Sequence, residues 1–199
     1  RLACNGCEVN APKTYNYTGV EDCHLAAKTQ GGPGKCNFGC LGFGSCVKSC
    51  PFQAITMSSN GLPVFDYTKC TGCGVCVAQC PQKVLYLSDA NAKIHVKCNN
   101  RAKGKAAMTN CSVSCISCGL CAKNCPTKAI TMVEDSNGSL PVIDREKCIE
   151  CGLCVKSCPR HCIHYLEPIK SEIETMTEQQ PLNPGCANCA SRENCGMHL

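Results

Sequence analysis

KCTGCGVCVAQCPQ, residues 69–82, decides how the rest of the chain is read. Cys70, Cys73, Cys76 and Cys80 follow the spacing C-x2-C-x2-C-x3-C, and Pro81 comes directly after. One tight loop can bring three thiolates spaced in this way to one corner of an iron-sulfur cube. The fourth, just before a proline, points away and ligates a neighbouring cube. A run of this kind therefore implies a partner run, and the chain holds three candidates, at residues 36–50, 115–125 and 148–158. The whole reads as a string of [4Fe-4S] sites.

Composition narrows the alternatives. Cys accounts for 25 of 199 residues, while aromatics make up 5% and Trp is absent, so apolar burial alone gives a weak core and another staple is needed. A secreted disulfide framework fits poorly, because the Cys count is odd, no signal peptide opens the chain and the Cys-Pro spacing recurs. Zinc needs only four thiolates per tetrahedral site, and the extra Cys at each x2 step together with the x3-Cys-Pro ending exceeds that demand. The formal charge of +5 counts every Cys as neutral. Cluster-bound thiolates largely offset it, and no basic patch interleaved with aromatics points to nucleic acid. No apolar run reaches the roughly eighteen residues of a membrane span. The chain begins at Arg1 without Met, which leaves room for a missing N-terminal anchor. No G-x-G-x-x-G, P-loop or nucleophile elbow is present. His24, His95, His161, His164 and His198 form no Rieske-like pair, so no catalytic residue is expected and no cofactor beyond the clusters.

An internal duplication organises the chain. KSCPFQAITM (48–57) resembles KNCPTKAITM (123–132), and KCTGCGVCVAQCP (69–81) resembles KCIECGLCVKSCP (147–159). Between the runs of each pair, AITM and a later LPVFD or LPVID flank an Asn-Gly turn, which predicts a hairpin. Residues 74–79 and 152–157 predict helices of about two turns, each ended by the proline after the fourth Cys. The expected fold is α+β, with two tandem bacterial-ferredoxin-like modules at residues 36–97 and 111–166 and a connector at 98–110. A Cys-containing leader (1–35) and a linker with a Cys-containing tail (167–199) are too small to fold without a metal staple.

Exchange of fourth ligands assigns the sites. Cys115, Cys118, Cys121 and Cys158 form one set, and Cys148, Cys151, Cys154 and Cys125 the other of that pair. In the first pair Cys70, Cys73 and Cys76 join Cys50. The partner run is irregular, with Phe43 where its middle Cys would stand, and Cys36 is the nearby replacement, giving Cys36, Cys40, Cys46 and Cys80. The alternative there is a three-iron or absent cluster. A fifth cluster would draw on Cys4, Cys7 and Cys23 with Cys98 or Cys111. A sixth would use Cys186, Cys189 and Cys195 with a fourth ligand from Cys162 or from another part of the chain, against free thiols or a small zinc knot in the tail. Cys111-x3-Cys115-x2-Cys118 also matches the loop of radical-SAM enzymes, but Cys115 and Cys118 already open a complete run and no barrel-like alternation of helices and strands follows.

The order of motifs resembles the B subunit of the clostridial-type Rnf complex, over residues 1–165. The resemblance rests on NYTGVEDC, GGPGKCNFGCLGFGSCVKSCPFQAI, HVKCNNRAKGK and CSVSCISCGLC, above all on the irregular run with its LGFGS insert. It implies an electron-transfer iron-sulfur subunit of a membrane-bound ferredoxin:NAD+ oxidoreductase that couples electron flow to Na+ or H+ transport. Soluble ferredoxin would be its electron donor or acceptor, other subunits its partners, and the cytoplasmic face of the cell membrane its location. Membrane contact would come only through partner subunits or an N-terminal anchor. That family's N-terminal transmembrane helix and first C-x2-C-x4-C cluster domain have no counterpart here, and the tail after residue 180 does not match. A polyferredoxin subunit of a soluble formate dehydrogenase, hydrogenase or bifurcating complex is the alternative.

Overall fold

A computed structural model describes residues 1–166. The tail cysteines Cys186, Cys189 and Cys195 lie outside the described residues. The described residues form six short helices and six strands, and their second half repeats much of the first.

In the first half, α1 (Cys23–Lys28) is followed by α2 (Ser45–Lys48), the hairpin strands β1 (Ile55–Met57) and β2 (Pro63–Phe65), and α3 (Val75–Ala78). In the second, β3 (Ile94–Val96) and α4 (Gly104–Asn110) precede α5 (Leu120–Lys123). The hairpin of β4 (Ile130–Asp135) and β5 (Gly138–Ile143), then α6 (Leu153–Ser157) and β6 (Ile163–Tyr165), complete it. Both hairpins form where the repeat predicts them, β1 antiparallel to β2 and β4 to β5. The second turns tightly, with Asp135 opposite Gly138. Gly138 has φ +128° and a Cβ there would lie 1.9 Å from the Arg101 carbonyl oxygen, so the backbone approach admits no side chain.

The helices in the Cys loops are shorter than expected. Those around residues 74–79 and 152–157 have four and five residues, about one turn each. Each of α2, α3, α5 and α6 starts from a left-handed glycine, Gly44, Gly74, Gly119 and Gly152, with φ between 69° and 79°. The preceding loop thus stays in a compact, non-helical path until the third Cys, and the Pro after the fourth forbids extension. The space between these two limits holds a single turn.

Strand pairing redraws the boundaries between halves. β3, expected at the end of the first module, pairs antiparallel with β6 at the end of the second, with Val96 opposite Ile163. An equivalent ladder closes the first half: Leu2 bridges Leu85, and Ala3 N-H donates to Val84 O at 2.7 Å. The leader therefore supplies the first half's counterpart of β3, as a single bridge. Sequence alone missed it because three residues carry no period.

Two small apolar clusters result. One gathers Leu2, Cys4, Val84 and Leu85, and the other Ile94, Cys121, Ile130, Cys154 and Ile163. Cysteines expected to bind clusters are thus part of the core itself. The halves meet at His95, which is fully buried. Its ring contacts the Tyr86 hydroxyl at 2.9 Å, the Ala92 carbonyl at 2.7 Å and Arg145 at 3.4 Å.

Candidate cluster-binding sites

Every described cysteine is a free thiol. Among the described residues no group of three or more His, Cys, Asp or Glu side chains is drawn together tightly enough for a single metal ion. The sulfurs instead line gaps. One is bounded by Cys115, Cys118, Cys121 and Cys158, with Cys162 beside them. Another is bounded by Cys125, Cys148, Cys151 and Cys154. Both sets combine three cysteines of one run with the fourth of its partner. The contact between α5 and α6 that crosses the two runs makes this possible.

Backbone amides already point at sulfur in these loops. Ala129 N-H donates to Cys125 Sγ at 3.3 Å and Cys162 N-H to Cys158 Sγ at 3.3 Å. In the first half Ala54 N-H donates to Cys50 Sγ at 3.4 Å. Each of these donors sits four residues after the fourth Cys, where the chain curls back past the proline. Such bonds stabilise negative charge on sulfur, the state a cluster ligand must adopt. A donor set of cysteine sulfurs gathered around one gap, with backbone amides aimed at some of them, fits a [4Fe-4S] cube.

In the first half the geometry departs from the expectation. The gap in the irregular run is bounded by Cys23, Cys40, Cys46 and Cys80. Cys36, expected to join Cys40, Cys46 and Cys80, instead faces a separate cleft of about 480 Å³, together with Cys4, Cys7, Cys98 and Cys111. Cys40 borders both spaces. Phe43, standing where a middle Cys would be, packs its ring 5.0 Å from that of Tyr17. Cys23 reaches the gap because α1 is fixed against α2. Asp22 caps α1 by accepting from His24 and Leu25 N-H. Ser45 Oγ donates to Asp22 at 2.9 Å and accepts from Cys23 N-H at 2.8 Å. The sequence signal was the Asp before Cys23, an N-cap residue that starts a helix on the Cys. Cys70, Cys73 and Cys76 share one loop, with Cys70 and Cys73 exposed.

Electrostatics follow burial. Loss of water pushes the thiols of Cys36, Cys46 and Cys121 up to about 11 and that of Cys111 up to about 12, with neighbouring thiolates acting in the same direction. Burial also raises Cys4 and Cys40. Metal loading therefore has to expel protons from these groups. Cys162 acts oppositely on its neighbours. Its hydrogen bond leads in lowering Cys158 to about 5 and Cys98 to about 7. Cys162, expected with the tail, is buried here against Cys98, Cys115 and Cys158.

Three matches to families described as 4Fe-4S dicluster domains cover residues 114–162, 35–85 and 62–126. Among characterised proteins, the chain is 52% identical over 112 residues to the B subunit of the proton-translocating ferredoxin:NAD(+) oxidoreductase complex of Clostridium ljungdahlii, covering 56% of this chain and 39% of that protein. It is 42% identical over 113 residues to the B subunit of the Na(+)-translocating ferredoxin:NAD(+) oxidoreductase complex of Acetobacterium woodii, covering 57% and 34%. With the B subunit of the ion-translocating oxidoreductase complex of Methanosarcina acetivorans it shares 41% over 146 residues, covering 73% and 54%. The chain thus spans between about a third and about half the length of the curated relatives it matches.

Proposed function

We propose, from the premise that the chain is over its matched residues a homologue of the B subunit of Rnf-type ferredoxin:NAD(+) oxidoreductases, that it is an iron-sulfur electron-transfer subunit of such a complex. It is built as two tandem ferredoxin-like modules. The observation that carries the reading is the crossing of ligands: in the second half each set of four sulfurs joins three from one run to the fourth of the other. Cys70, Cys73, Cys76 and Cys50 form the corresponding regular set in the first half.

When bound, a [4Fe-4S] cube supplies a centre that gains and loses one electron reversibly. The chain's own residues position it, keep water away and set its potential. Cys121 and Cys154 are buried in the second core and hold the inner side of their sites. Cys118 and Cys151 are exposed, so each second-half site has one protected wall and one facing the surface, and Cys70 and Cys73 are exposed in the first half as well. Exposed edges of this kind suit exchange with a protein partner, while the amides of Ala54, Ala129 and Cys162 favour the more negative state by donating to sulfur.

Reduced soluble ferredoxin is the donor in this proposal, and other subunits of a complex at the cytoplasmic face of the membrane are the acceptors. No helix among the described residues is long and apolar enough to cross a membrane; in this proposal membrane contact comes through those partners or through an N-terminal anchor. Anaerobic incubation of the oxidised chain with a catalytic amount of bacterial ferredoxin, kept reduced by an enzymatic electron source that does not reduce the chain alone, tests the reading. The expected result is reversible bleaching of the visible iron-sulfur absorption, with EPR signals from reduced clusters. A colourless protein that binds zinc alone would overturn it, and a coloured protein reduced by dithionite but not by ferredoxin would remove ferredoxin as donor.

A further inference from the structure

The two halves are related by more than their Cys runs. Leu2 and Val96 occupy the same place, each pairing with the closing strand of its half. The hydrogen bond from Ala3 N-H to Val84 O has its counterpart from Lys97 N-H to Cys162 O, both 2.7 Å. Two residues after each of these opening positions comes a cysteine, Cys4 in one half and Cys98 in the other. Each accepts an amide hydrogen on sulfur, Cys4 from Cys40 at 3.4 Å and Cys98 from Cys115 at 3.3 Å. Cys40 and Cys115 are themselves equivalent, since each opens its run, and each is preceded four residues earlier by a cysteine, Cys36 or Cys111.

These four thiols, two pairs of equivalent residues, all face the cleft between the halves. Cys4, Cys98 and Cys111 are buried, at 5–8% exposure. Gly6 lets the leader approach closely, because a Cβ there would lie 3.2 Å from Cys111 Sγ and 3.9 Å from Cys4 Sγ. The leader is tied to the segment after Cys111 by Ser112 N-H to Asn10 O at 2.8 Å and by Ser112 Oγ to Asn10 Oδ1 at 2.9 Å.

We propose that Cys4, Cys36, Cys98 and Cys111 together ligate a further [4Fe-4S] cluster at the joint between the halves, and that Cys23 takes the place in the irregular first-half site, with Cys40, Cys46 and Cys80, that Cys36 leaves open. The proposal rests on the iron-sulfur reading above. Cys7 also borders the cleft, with Asn10 donating to its sulfur at 3.3 Å, but it has no equivalent in the second half, where Arg101 stands at that position. It is therefore excluded from the set. The joint cluster touches both halves on equal terms, because a backbone amide of a neighbouring site's ligand, Cys40 or Cys115, donates to one of its sulfurs on either side.

The test is the iron and acid-labile sulfide content of the full chain after anaerobic reconstitution. It is measured for wild type, for Cys36→Ala, Cys111→Ala and Cys23→Ala singly, for Cys36→Ala with Cys111→Ala, for Cys36→Ala with Cys23→Ala, and for Cys7→Ala. If Cys36 and Cys111 share one cluster, each single variant and their double all lose the same four irons and four sulfides per chain, a full [4Fe-4S] unit. Cys23→Ala combined with Cys36→Ala loses two such units, and Cys7→Ala loses none. Additive losses for Cys36 with Cys111, or a loss in Cys7→Ala, overturn the assignment. Iron-edge anomalous diffraction from wild-type crystals answers the same question without a variant that must fold. A four-iron peak among Cys4, Cys36, Cys98 and Cys111 sustains the proposal, and a peak joining Cys36 to Cys46 and Cys80 overturns it. Absence of iron from the wild type would instead sink the iron-sulfur reading as a whole, which separates the two failures.

Discussion

His95 shows how much one residue at the joint reveals once its partners are known. Arg145 can only donate, so the ring nitrogen facing it and Tyr86, Nδ1, must accept, and Nε2-H donates to the Ala92 carbonyl. Burial, aided by the charges of Arg1, Arg145 and Lys97, outweighs the Ala92 hydrogen bond and lowers the imidazole to about 4. The unfolded chain then binds the proton more tightly than the fold, near the ordinary value of about 6.5. Stability from this group is complete above that value, falls as pH drops, and levels off below about 4. Between pH 7.5 and 5 the loss comes to about 2 kcal/mol. Anaerobic urea midpoints of the cluster-loaded protein should fall with acid more steeply in wild type than in His95→Gln, with acid lability of the clusters common to both. Equal slopes would show that the ring is not held neutral. The sequence offered His95 only as an unremarkable His, because no local pattern marks a side chain whose burial depends on Arg145, fifty residues away. Cys70, Cys73, Cys76 and Cys80 stand at the other extreme, where spacing within one loop carries the whole reading.

Elements were legible wherever the two repeats agree. AITM with LPVFD or LPVID predicts hairpins, and hairpins form, since alternating apolar residues and a turn act locally. The one-turn helices were overestimated because apolar content suggested length, whereas a left-handed glycine before each helix and a proline after it set the limit. What spacing could not show is α1 bringing Cys23 beside Cys40, Cys46 and Cys80, as this depends on a tie between residues 22 and 45. Ser45 makes that tie while only 6% exposed. Ser45→Ala leaves the Cys23 amide without its acceptor and should cost about 1–2 kcal/mol. It should also speed chelator-driven release of one set of four irons while the others keep their wild-type rate. Uniform release from all sites would mean that α1 is not what anchors that set.

At the scale of the whole molecule, the duplication announced two similar halves but not how they join. The bridge at Leu2 and the three-residue β3 are too short to show a period, and their pairing is set by tertiary contact alone. Both apolar clusters are small and include cysteines, Cys4 in one and Cys121 with Cys154 in the other. A core of this size leaves little surplus over the entropy of ordering the chain. If the sulfurs close on inorganic cubes, removal of the metal turns each site into a gap lined by buried thiols and takes away the cross-links between runs distant in sequence. Stripping iron with a chelator under oxidising conditions, then capping the thiols, should therefore abolish the cooperative urea transition and collapse the amide dispersion in NMR spectra. Reduction of an uncapped sample with iron and sulfide resupplied should restore both. A metal-free, capped chain that still unfolded cooperatively, with a stability of several kcal/mol, would show that side-chain packing holds the fold and that the cubes are guests in it. The placement of Cys121 and Cys154 inside the second core argues for the opposite outcome, since the same side chains serve as ligand and as packing, and neither role can be withdrawn alone.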